Sequence, residues 1–152
     1  MWYTGVKLLK SDLVVRIANS HISFLVPGDA GGTSIFLKTG HVITVDVEIM
    51  KLAREKDFFD GYFPMWNCRQ KNQSTDASAF VNPSDISAYG DSGNGRTILK
   101  MSNMISLNVS VGIQTFQQDI KRWNDFQKER RLSNGAQQTG GRSQADTNNP
   151  SW

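Results

Sequence analysis

Ten residues, Asp57–Trp66, read Asp-Phe-Phe-Asp-Gly-Tyr-Phe-Pro-Met-Trp, and five of them are aromatic. Arg54, Lys56, Arg69 and Lys71 flank the run. Flat rings stack on unpaired bases while cations follow the phosphates, so this mixture of residue types is the chemistry of single-stranded nucleic-acid binding. The candidate contacts are Arg54, Lys56, Tyr62, Phe63, Trp66, Arg69 and Lys71. A structural reading competes with it: Phe58, Phe59, Phe63 and Trp66 pack the junction between two halves of the body, with Gly61 and Pro64 turning the chain. Exposure of Tyr62, Phe63 and Trp66 discriminates the two.

Charge extends the candidate surface. Seventeen Lys and Arg stand against fourteen Asp and Glu, a net +3 too small to announce a nucleic-acid binder by itself. Residues 1–60 carry seven charges of each sign, so the whole excess falls after residue 60. An anionic ligand would therefore meet Arg69, Lys71, Arg96, Lys100 and the basic end of a C-terminal helix, Arg122, Arg130 and Arg131.

Catalytic and metal chemistry find little support. The glycine-rich run Pro27–Thr33 has no Lys before Ser or Thr and precedes a strand, which makes it a hairpin loop and not a phosphate cradle. Gly90-Asp91-Ser92-Gly93 resembles the nucleophile segment of chymotrypsin-like proteases over four letters, in a chain too short for their double barrel. His21 and His41 lack metal-ligand spacing, and Cys68, the single cysteine, has no second cysteine to pair with. The acids form no pair suited to general acid–base work. The expectation is a non-enzymatic protein without cofactor or metal.

The elements that must position these residues are short strands and two helices. Alternating or β-branched runs predict strands at Tyr3–Leu9, Leu13–Ala18, His21–Val26, Ser34–Lys38 and His41–Val47, followed by a helix near Glu48–Asp60. The order then returns: Ile86-Ser87-Ala88-Tyr89 echoes Ile22-Ser23-Phe24-Leu25, and Phe36–Ile49 laid over Ile98–Val111, 62 residues on, matches at Leu37/Leu99, Lys38/Lys100, Ile43/Ile105 and Val47/Val109. Ile113, Phe116, Ile120 and Trp123 recur at helical spacing behind Ser110, a candidate cap. The fold class expected is α+β and strand-dominated, with two antiparallel β-meander-plus-helix units related by an internal repeat and packed sheet to helix. Residues 1–132 form one body with halves near 1–66 and 78–132. The polar stretch 133–152, ending at Trp152, reads as a flexible tail.

The meander–helix–meander–helix order is similar to that of Whirly-type single-strand binders, and strand–turn–strand–helix units such as Ile35–Lys51 resemble LytTR-type DNA-binding domains. Both likenesses are of element order, share no motif and transfer no residues. Two functions stay open: a nucleic-acid-binding protein preferring single strands, or a structural subunit, such as a small virion or accessory protein, that associates with copies of itself through strand edges. The tail ending at Trp152 is a candidate site for a protein partner. No apolar run approaches the ~18 residues of a membrane helix, and the first residues do not read as a signal peptide. The expected location is the cytoplasm, or the host cytoplasm or a virion for a viral chain.

Overall fold

The computed structural model describes residues 3–55 and 63–140, with side chains described from 5 to 55 and from 63 to 132. The elements run β1 (Tyr3–Lys7), β2 (Val14–Ala18), β3 (Ile22–Pro27), β4 (Thr33–Leu37), β5 (Val42–Val45), α1 (Ile49–Glu55), β6 (Met65–Arg69), β7 (Ala77–Val81), β8 (Ile86–Gly93), β9 (Arg96–Met101), β10 (Ser106–Val109) and α2 (Ile113–Gly140). The protein is thus α+β and strand-dominated. Eight strands form one antiparallel sheet in the order β5-β4-β3-β7-β6-β10-β9-β8. The β1–β2 hairpin forms a separate two-stranded sheet that touches β5 at Leu8↔Val45.

Alternation along the strands assigns each residue to one of two cores. Leu25, Ile35, Val45 and Phe80 pack with Ile49, Leu52 and Ala53 of α1. Their neighbours in sequence, Phe24, Phe36, Ala79 and Val81, pack with Trp66, Leu99, Leu107, Val109 and Phe116 of α2. Adjacent residues of β3, β4 and β7 therefore serve different cores, so the two helices lie on opposite faces of the sheet. The halves join edge to edge through β3 and β7, at Phe24↔Val81 and Leu25↔Phe80. Sheet-to-helix packing of one half on the other, expected from sequence, is replaced by this strand pairing, because a shared sheet satisfies backbone groups on both edges.

Strand register makes the two meanders directly comparable. Thr33↔Val45 and Ile35↔Ile43 in β4–β5 correspond to Thr97↔Val109 and Leu99↔Leu107 in β9–β10, 64 residues later. The Thr33 hydroxyl donates to the Val47 carbonyl at 2.6 Å, and the Thr97 hydroxyl to the Val111 carbonyl at 2.8 Å. The 62-residue spacing expected from sequence is two residues out of step with this register. A shift of two keeps every side chain on its own face, so apolar alternation alone does not separate the two spacings.

Helix starts follow local chemistry. Glu48 receives the Met50 and Lys51 backbone N–H groups on its two carboxylate oxygens, at 2.9 and 3.1 Å. Those bonds hold its carboxyl below the ordinary range. At α2 the Phe116 N–H donates to the Gly112 carbonyl. Ser110, read as the cap, instead follows the last residue of β10, its N–H donating to the Asn67 carbonyl at 2.8 Å. The α2 stripe is fully buried only at Phe116, while Phe126 is 38% and Leu132 66% exposed, so the helix projects beyond the sheet. It continues to Gly140, eight residues into the segment read as a tail; residues 141–152 lie outside the described residues. Among the described residues, no helix is long and apolar enough to cross a membrane.

Candidate nucleic-acid interface

The face of β6, β10 and β9 that points away from α2 collects polar side chains by alternation. Trp66, Cys68, Leu99, Met101, Leu107 and Val109 turn inward. Asn67, Arg69, Arg96, Ile98, Lys100, Ser106 and Asn108 turn the other way. Cross-strand pairing sets Asn108 beside Arg69 on one side and Ile98 on the other, and Ser106 beside Lys100. The β6–β7 turn adds Gln70, Lys71 and Gln73, and together these residues line a shallow groove of about 390 Å³ with Arg69, Ile98, Ser106 and Asn108.

Asp76 organises the cations. Its carboxylate accepts two bonds from the Arg96 guanidinium, at 2.7 and 3.1 Å, and lies 3.7 Å from Arg69 Nε. The Arg96 bonds hold the Asp76 carboxyl below its ordinary range, and Asp76 in return raises the Arg96 guanidinium. Arg96 also donates to the Asn108 side chain and, at 3.0 Å, to its carbonyl, while Arg69 donates to the Ser74 carbonyl at 2.8 Å. Held this way, two guanidinium groups occupy fixed positions on the strands. Lys71 and Lys100 are exposed beside them.

The structure separates the residues nominated from sequence. Arg69, Lys71 and Lys100 come together on this face. Arg54, exposed at the end of α1, belongs to the helix on the same side of the sheet. Arg122, Arg130 and Arg131 lie on α2, across the sheet from the groove. Arg122 is tied to Asp119 at 3.2 Å, and the Arg130 guanidinium sits 5.8 Å from the Phe126 ring centroid. Lys56 and Tyr62 lie outside the described residues, as do Phe58 and Phe59.

The rings Phe63 and Trp66 are core residues and not a stacking platform. Phe63 is 7% exposed among Leu25, Leu52 and Phe80, and Trp66 is 4% exposed against Phe116. Burying two large apolar faces outweighs keeping them wet for a ligand. The Trp66 indole N–H is also taken, donating to Asp119 at 2.8 Å. Sequence reasoning missed Asp76, Asn108, Gln70 and Gln73. Asp76 reaches Arg96 over 20 residues, a pairing that only strand order creates.

Among the described residues, no group of three His, Cys, Asp or Glu is placed to hold a metal ion. Cys68 is buried, and desolvation pushes its thiol up to about 12.

No family model matches the chain, and no curated protein matches it. In structure the chain is similar to a LytTr DNA-binding domain from Bacillus cereus, with 15% sequence identity, a TM-score of 0.49, and coverage of 80% of this chain and 94% of that one. A likeness at that level assigns neither family nor activity.

Proposed function

We propose that the protein binds nucleic acid through its phosphates, on the sheet face built by β6, β10 and β9. The observation that carries this reading is the gathering of Arg69, Arg96, Lys100 and Lys71 on one surface, with Asp76, among the described residues, as the carboxylate that pairs with them. Charged donors there alternate with amide and hydroxyl groups of Asn67, Ser106, Asn108, Gln70 and Gln73, all able to reach phosphate oxygens. The groove is open and lined by polar residues except at Ile98, unlike the enclosed apolar pockets that hold small ligands. Its contacts are positional, so binding is tolerant of sequence.

The preference for single strands rested on ring stacking, and with Phe63 and Trp66 buried it now rests on Tyr62 alone among the nominated rings. Fluorescence anisotropy of labelled poly-dT over a salt series, with unlabelled duplex as competitor, tests both parts. Affinity falling linearly on a log–log plot supports phosphate binding. Stronger competition by duplex than by poly-dT removes the single-strand preference. Absence of binding to either at about 50 mM salt overturns the proposed function.

A further inference from the structure

We propose that β8 of one copy pairs with β2 of the next, repeating between chains the β3–β7 junction found within one. β3 and β8 are counterparts. Each follows a single 3-10 turn, at Asn19–His21 and Pro83–Asp85, and each begins Ile-Ser. Each is irregular at the same place against its neighbour, between Ile22 and Phe24 and between Ile86 and Ala88. β3 gives its second edge to β7 through Phe24 and Leu25. β8 ends the sheet, and its corresponding residues, Ala88 and Tyr89, pair with β9 alone.

Among the described residues the complementary edge is equally open. β2 and β7 are each the second strand of a hairpin whose first strand reaches the meander, at Leu8↔Val45 and at Cys68↔Val109. Among the described residues β7 is bonded on both sides, whereas β2 is bonded to β1 only. Within one chain β2 and β8 are not paired with each other.

Burial shows what the missing neighbour covers. Ser23, Phe24 and Leu25 are 0% exposed, and their counterparts Ser87, Ala88 and Tyr89 are all exposed, Tyr89 at 47%. Beside β8 an open groove of about 340 Å³ runs between Ile86, Ala88 and Tyr89 and the α2 residues Phe116 and Ile120. The equivalent space between β3 and α1 is filled by Phe63 and Phe80. Leu13 and Val14, at the start of β2, are 58% and 57% exposed. β8 spans eight residues and carries neither Lys nor Pro, the usual protections of a sheet edge. Its irregularity between Ile86 and Ala88 is shared with β3, which still pairs with β7, and its second, between Asp91 and Gly93, lies beyond the Ala88 and Tyr89 positions. The contact is heterologous, so copies add head to tail into a ring or a filament. It runs along the outer edge of β8, with Tyr89 turned to α2 and Ala88 to the side of its partner Lys100, and stands whether or not the β6–β10–β9 face binds nucleic acid.

Sedimentation velocity of the full chain over a concentration series is the first reading, with mass-action association expected. Ala88→Lys, at an exposed position, raises the dissociation constant by about tenfold or more. Hairpin register places Arg16 where Phe80 stands, opposite the Leu25 counterpart Tyr89. Mixing a Tyr89→Cys variant with an Arg16→Cys variant, both at exposed positions, under mild oxidation then gives a disulfide between the two chains, while either variant alone gives far less; buried Cys68 does not compete. A monomer at every concentration, or equal cross-linking of Tyr89→Cys with itself, overturns the proposal.

Discussion

Trp66 Nε1 donates to Asp119 Oδ2 at 2.8 Å, a bond spanning 53 residues that fixes β6 to α2. The same indole lies 5.1 Å from the Phe116 ring. Asp119→Ala leaves the buried N–H without its acceptor and costs about 1–3 kcal/mol. Trp66→Ala opens a cavity and costs about 3–5 kcal/mol. Urea unfolding followed by circular dichroism reads both; an unchanged midpoint for either variant contradicts a structural role for the ring.

Cys68 provides a probe of the α2-side core. Burial raises its thiol to about 12, so almost none is thiolate at pH 8. The native protein reacts with an aromatic disulfide reagent only as fast as it opens, and the rate rises sharply in denaturant. Prompt stoichiometric reaction without denaturant contradicts this placement.

Asp76 links pH to the basic face. Its folded-state pKa is depressed by Arg96, so its contribution is present above the unfolded value of about 3.8 and is lost as pH falls through the folded value. Wild-type stability therefore drops in the acid range more steeply than that of Asp76→Asn, measured by thermal melts between pH 2 and 6. At neutral pH Asp76→Asn removes one negative charge from the face and strengthens nucleic-acid binding, with a steeper salt dependence. Weaker binding by a fully folded Asp76→Asn protein points to guanidinium placement as the dominant effect.

Gly32 is required by close approach, not by backbone angle. A Cβ built there meets the Val45 carbonyl oxygen at 2.0 Å, and the Gly28 N–H donates to the Gly32 carbonyl at 2.8 Å to close the hairpin loop. Gly32→Ala forces β4 and β5 apart and costs about 1–3 kcal/mol. Gly31→Ala, in open space at φ +83°, strains the backbone without a collision and is the comparison variant. Equal stability of Gly32→Ala and the wild type in urea contradicts the contact.

Local pattern made much of the fold legible. Alternation located β1 to β5 and the returning order pointed to β8 to β10, while β6 and β7 went unread; the glycine run Pro27–Thr33 marked a hairpin, and the spacing of Ile113, Phe116 and Ile120 marked α2. The edge-to-edge joining of the halves was not legible, because Phe24 and Leu25 reveal that they face two cores only once β7 is beside them. The groove was half legible. Arg69, Lys71 and Lys100 were singled out by charge, whereas Asp76 and Asn108 join them through strand order alone. The aromatic run misled for a physical reason: rings beside cations suit both a base-stacking surface and a core near a polar edge.

The central claim is that phosphates meet the β6–β10–β9 face. The most direct measurement is the salt dependence of poly-dT binding for the wild type, Lys71→Ala/Lys100→Ala, and Arg130→Ala/Arg131→Ala on the opposite side of the sheet. Loss of two single-strand phosphate contacts flattens the log–log slope by about 1.4 for the Lys71/Lys100 variant, and the Arg130/Arg131 variant keeps the wild-type slope. An unchanged slope for Lys71→Ala/Lys100→Ala, with the loss falling instead on Arg130→Ala/Arg131→Ala, would show that nucleic acid binds elsewhere.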